Sequence, residues 1–128
     1  MAGVLVTNYN AAVALANNTA KTQAVTVPAG KRWFLFGGIM SNADNVERAT
    51  QIYITDGTNT VMYIRQATAQ AAGAIIAYPN TVALATNWQF PVPMPLSAGW
   101  TITFYWAAGG ASAGGNATIS AVVSQMDA

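Results

Sequence analysis

The chain has 128 residues, of which 53% are hydrophobic and 7% charged; five bases and four acids leave a net charge of +1, and His and Cys are absent. This inventory excludes disulfides, thiolate chemistry and zinc sites of the usual His/Cys type. It also offers no clustered basic surface for nucleic acid, and no window reaches the ~18 consecutive apolar residues of a membrane-spanning helix.

In chain order, residues 3–7 and 11–16 read as short strands, the second open to a helical turn because Ala is a poor strand former. Residues 22–27 and 31–39 are strands split by Pro28-Ala29-Gly30, where a fixed φ followed by a permissive one makes a corner. Residues 41–48 hold Asp44, Glu47 and Arg48 and are expected to be a solvated loop, with Arg48 as a partner for the acids. Residues 51–55 and 60–65 flank Asp56-Gly57-Thr58-Asn59 and predict a β-hairpin, with Ile52 and Ile54 on one face and Gln51, Tyr53 and Thr55 on the other. Residues 74–78 and 82–90 are weaker strands. Residues 90–96 carry Pro91, Pro93 and Pro95, so they are expected to be extended and to lie at an edge or between sheets. Trp100, Ile102, Phe104 and Trp106 alternate with Thr101, Thr103 and Tyr105, the clearest strand pattern in the chain and an expected core face. Residues 107–116 are a Gly/Ala/Ser connection, and 117–124 a last strand. About eight short strands without a long helix predict a single all-β domain over 1–128, a sandwich or barrel. Two similar corners, Pro28-Ala29-Gly30 and Ser97-Ala98-Gly99, suit a double-sheet jelly roll.

Catalytic groups are scarce. General acid–base or nucleophilic work wants positioned His, Cys, Lys or paired carboxylates. Asp44 and Glu47 are the one close carboxylate pair, too poor in further oxygens for a calcium site. Asp56 opens a turn, a structural role. No phosphate-cradle pattern follows the glycines at 109, 110, 114 and 115. The tripeptides at Asn17 and Asn116 match a glycosylation acceptor pattern, but no basic leader precedes the apolar start, so synthesis in a host cytoplasm without export is expected. The expectation is therefore no enzyme, no catalytic residue, no metal and no cofactor.

The stretch Thr26-Val27-Pro28-Ala29-Gly30-Lys31-Arg32-Trp33-Phe34-Leu35 resembles a segment of small virion proteins of tailed bacteriophages. Pro95-Leu96-Ser97-Ala98-Gly99-Trp100 resembles a matching corner in the same proteins, and the Cys-free Ala/Thr/Asn/Gly composition is similar to that of head decoration (cement) proteins and fibre-tip domains. The resemblance covers under a fifth of the chain and carries over no functional residue. It implies a jelly-roll-like antiparallel sandwich that sits on the outer surface of a capsid and assembles with itself.

Charge scarcity leads in the same direction, because a low-charge surface is cheap to desolvate against other subunits. The expected function is viral structural: a capsid decoration or cement protein, as a homodimer or homotrimer, bridging major capsid protein subunits in the virion. The alternative is a receptor- or glycan-binding module of a phage fibre or tail, which requires aromatic side chains grouped on one exposed surface beside Asn, Asp or Gln. Candidate contact residues are Val4, Val6 and Tyr9 on an N-terminal arm (1–10) that adds to a neighbour's sheet, Lys31 and Arg32 after the corner, and Trp88, Phe90, Pro91, Pro93 and Met94 around the proline run. Lys31, Arg32, Arg48 and Arg65 are the expected gatekeepers against aggregation.

Overall fold

The computed structural model describes residues 5–16, 19–42, 44–45, 48–65, 75–78, 93–108 and 114–128. These residues form nine strands: β1 (Leu5–Leu15), β2 (Lys21–Thr26), β3 (Lys31–Ser41), β4 (Thr50–Thr55), β5 (Thr60–Arg65), β6 (Ile75–Tyr78), β7 (Met94–Leu96), β8 (Thr101–Trp106) and β9 (Gly115–Asp127). No helix occurs among them. The expected strand over 82–90 lies outside the described residues.

Two antiparallel sheets pack face to face. The first runs β1-β9-β3-β6, with β7 also on β3; the second runs β2-β8-β4-β5. The pairings are nested: β1 with β9, β2 with β8, β3 with β6 and β7, and β4 with β5. A long hairpin rolled up on itself produces this order, which is the jelly roll expected from the two corners. The strands β6 and β7 share one edge of β3, opposite Gly38–Ser41 and Trp33–Leu35 respectively. The expected extended proline segment thus ends as an edge strand, where the missing N–H of Pro95 leaves no gap in an interior ladder.

The start of the chain differs from expectation. Residues 5–15 are one continuous strand, with β9 as partner from Leu5↔Gln125 to Leu15↔Gly115. Residues 5–10 are therefore paired within their own chain and do not form a free arm. The long ladder overrides the poor strand propensity of Ala, since Val13 and Leu15 are buried while Ala12 and Ala14 are exposed.

Period-two alternation fills the space between the sheets. Trp33, Leu35 and Met40 of β3 and Ala117, Ile119, Ala121 and Val123 of β9 meet Ile52 and Ile54 of β4 and Ile102, Phe104 and Trp106 of β8. Both buried indoles are satisfied: Trp33 Nε1 donates to Gln125 Oε1 at 2.9 Å, and Trp106 Nε1 donates across the sandwich to the Ser41 carbonyl at 2.8 Å. Trp100 is half-buried against this core.

The two similar corners are neighbours in space. Each closes with an i to i+3 backbone bond, Lys31 N to Pro28 O and Trp100 N to Ser97 O, and each uses a positive φ, 72° at Gly30 and 84° at Gly99. Val27 N donates to Trp100 O and Gly99 N to Val27 O, so the corners are stitched together at one end of the sandwich.

Candidate functional site

The charged groups sort into structural and exposed ones. Within the 41–48 stretch expected to be solvated, the Asp44 and Arg48 side chains are instead 0% exposed and form an ion pair at 2.6 Å. Arg48 Nε and Nη2 donate to Asp44 Oδ2, Nη1 donates to the carbonyls of Thr19 and Ala107, and Nη2 also reaches the carbonyl of Ala16. All five guanidinium donors are used. This ties the β1–β2, β3–β4 and β8–β9 connections together at the end of the sandwich opposite the corners. Asp44 Oδ1 accepts from Asn45 N, so this carboxylate is committed to structure; Glu47 lies outside the described residues. Arg48 is no gatekeeper, since a buried guanidinium cannot guard a surface.

Lys31 Nζ pairs with Asp127 Oδ1 at 2.6 Å at the ends of β3 and β9, with Lys31 partly and Asp127 largely exposed. β3 is an interior strand, so Lys31 does not protect a sheet edge. Asp56 Oδ1 accepts from Thr58 N at 2.9 Å and Asn59 N at 2.8 Å, closing the β4–β5 turn. These bonds, first that from Asn59, hold its carboxyl below the ordinary 3.8.

The outer face of the first sheet is an apolar and hydroxyl surface. A groove of about 480 Å³ crosses β1, β9 and β3, lined among others by Ala12, Ile39, Ser41, Thr118 and Ser120. Small residues on three adjacent strands make its floor. Ile39, 42% exposed, stands in its wall. Beside it Phe36, 40% exposed, is the extra residue of a β-bulge, since Leu35 pairs Val123 and Gly37 pairs Val122. The described outward side chains from Ala14 and Asn116 as far as Phe36 and Val122 carry no charge; Arg32 is exposed at the far end.

The outer face of the second sheet has different chemistry. Register and alternation put Thr22, Ala24 and Thr26 of β2, Thr101, Thr103 and Tyr105 of β8, and Gln51, Tyr53 and Thr55 of β4 on it. Gln51 lies opposite Tyr105, and Tyr53 opposite Thr103. Thr103 has the outward parity of β8 yet is 7% exposed, because the taller Tyr53 and Tyr105 flank it on its own face. Thr55 and Thr101 join their hydroxyls in a hydrogen bond.

The expected contact residues scatter. Val4, Trp88, Phe90 and Pro91 lie outside the described residues. Val6 and Tyr9 pair with Ser124 and Ala121 within β1 and β9. Arg32 and Pro93 are exposed, and Pro93 precedes Met94, the partner of Leu35 on β3. Met94 itself is 8% exposed and belongs to the core, because the extended segment alternates Pro93 and Pro95 outward with Met94 and Leu96 inward. Ile39, Phe36 and the groove residues were not anticipated. The Phe36-Gly37-Gly38 run was their signal, since consecutive glycines within a strand pattern mark a bulge.

The strand order defines a jelly roll, an architecture shared by viral capsid, lectin and cupin domains. No protein-family model matches the sequence, and no curated protein matches it. Among solved structures, the chain is similar to a chain of infectious bursal disease virus, Gx strain, at 16% identity and a TM-score of 0.38; the match covers 98% of this chain and 31% of that one. The chain thus spans under a third of that neighbour's length, and at this score the likeness adds nothing to the assignment made from strand order.

Proposed function

We propose that this chain is a structural virion protein, a decoration or cement subunit that assembles with itself as a dimer or trimer and binds the major capsid protein on the outside of the head. The observation that carries this reading is the outer face of the first sheet, where Phe36 and Ile39 stand exposed beside a groove of small side chains without a described charge from Ala14 to Phe36. Desolvating such a face forfeits no ion hydration, and its apolar area contributes about 25 cal/mol per Å² removed from water. Each copy touches several neighbours, so weak contacts add into firm retention. The scarcity of charge over the whole chain, nine charged residues in 128, supports the same reading.

The test is light scattering of the purified protein together with co-sedimentation on heads that lack it. A discrete dimer or trimer that sediments with heads supports the proposal. A monomer that stays in the supernatant overturns it. Ile39→Asp separates fold from contact: its site is exposed, so thermal unfolding is expected to be little changed, while assembly weakens by roughly tenfold or more as a carboxylate enters a desolvated contact.

A further inference from the structure

We infer that the outer edge of β1 pairs with the same edge of a second copy, so that two molecules join their first sheets into one across a two-fold axis. The inference rests on the self-assembly in the proposed function and names its surface; it does not use the contact with the capsid.

β1 is the end strand of its sheet, and among the described residues only β9 pairs with it. The ladder fixes which backbone groups turn outward. Thr118 N donates to Ser41 Oγ on β3 at 2.9 Å, so the backbone of Thr118 faces β3 and not β1. Its partner Ala12 therefore turns its N–H and C=O away from β9. Alternation extends this to Val6, Asn8, Asn10 and Ala14. Leu15, of the other parity, turns its carbonyl towards Gly114 at the start of β9. Ala16, of the same parity as Ala12, has its carbonyl taken by Arg48 Nη2 and Thr19 N. Among the described residues nothing takes the outward groups from Val6 to Ala14.

The other sheet edges are guarded. β2 and β5 have six residues each, with Lys21 opening the one and Arg65 closing the other, and a bulge interrupts the β4–β5 pairing. β6 and β7 have four and three residues, and β7 holds Pro95. β1 has eleven residues, without charge, Pro or Gly, and its ladder has no register shift. A long regular edge of this kind is a template for strand addition.

A second copy is the partner that this edge complements. An antiparallel pair centred on Asn10 sets Val6 opposite Ala14 and Asn8 opposite Ala12. Every such pair joins residues whose N–H and C=O both point outward, which gives about ten hydrogen bonds, the number a typical stable interface carries. The strand is uncharged, so a copy meets no like charge across the ladder. Ala12 and Ala14, exposed beside the edge, are too small to obstruct it. The pairing consumes the unguarded edge of both molecules, so growth stops at two. Its axis stands perpendicular to the sheet, which puts both grooves beside Ile39 on one side of the dimer.

The experiment is sedimentation velocity of the whole chain, with hydrogen exchange followed amide by amide by NMR. Ala14→Lys places a cation on the edge, and Asn10→Pro removes an outward N–H while sparing the β9 ladder. Thermal unfolding of both is expected to be little changed, and the dimer dissociation constant to rise by about tenfold or more. In the wild-type dimer the amides of Asn8, Asn10 and Ala12 should exchange at least about tenfold more slowly than in Ala14→Lys, while those of Ala11 and Val13, bonded to β9, stay protected in both. A wild-type monomer or trimer, equal exchange of Asn8, Asn10 and Ala12 in the two proteins, or undiminished dimerisation of the folded variants would overturn the inference. A monomer or trimer that still sediments with heads would overturn it alone, and a β1-paired dimer that ignores heads would overturn the capsid reading alone.

Discussion

Arg48 shows how one residue can decide the order of three loops. Its guanidinium is buried with every donor used, on Asp44 and on the carbonyls of Ala16, Thr19 and Ala107. Removing a partner from such a pair strands the other charge in the interior. Arg48→Met is expected to lower the unfolding free energy by about 3–5 kcal/mol in a urea titration, and Arg48→Met with Asp44→Leu by less than Arg48→Met alone. The exposed Lys31–Asp127 pair is different: Lys31→Ala should change stability by about 1 kcal/mol at most, since solvent screens it. Asp56 adds a pH signature. Its folded carboxyl titrates below the ordinary 3.8, so its contribution is complete above that pH and is lost as pH falls through the lowered value. The stability difference between wild type and Asp56→Ala should therefore shrink in acid unfolding experiments below pH 3.8.

At the scale of elements, the turns matter as much as the strands. The corners at Gly30 and Gly99 need positive φ but have open space around the missing Cβ, so Gly→Ala at either should cost about 1–2 kcal/mol from backbone strain. Gly114, with φ 76°, has both problems, because a Cβ there would run into the Leu15 carbonyl oxygen. Gly114→Ala is expected to destabilise more than Gly30→Ala, measured by the midpoint of thermal unfolding. The strands themselves were mostly legible. The alternation in 51–55 and 100–106 is observed as inward Ile52, Ile54, Ile102, Phe104 and Trp106. The Ala-rich 11–16 stretch was ambiguous because its strand comes from pairing with β9, a partner about a hundred residues away, and not from local propensity.

For the whole molecule, two unlike faces lie back to back across one core: one apolar and grooved, the other carrying Tyr53, Tyr105 and several threonines. A cement subunit seated by the Ile39 face would turn the Tyr53 face outward. Replacing Lys31 and Arg32 together by Ala is expected to lower soluble yield by removing two of the chain's few surface cations, read by expression and sedimentation. Unchanged yield and assembly would show that the remaining surface keeps the protein dispersed by itself.

Local chemistry was enough to establish the all-β class, the hairpin, the corners and the inward Ile102–Trp106 alternation, because two-residue periodicity and turn residues act over a few positions. Nested pairing of distant strands decided the rest. The Ser41–Arg48 stretch looked solvated because its charges are dense, yet closure of the sandwich end buries Asp44 and Arg48 and sets carbonyls from two other connections, β1–β2 and β8–β9, on the guanidinium. The proline run looked like a uniform contact strip, yet pairing with β3 turns Met94 inward. Ile39 carries no local mark of function. It becomes part of a surface when neighbouring strands set Thr118 and Ser120 beside it, and that juxtaposition is a property of sheet order and register.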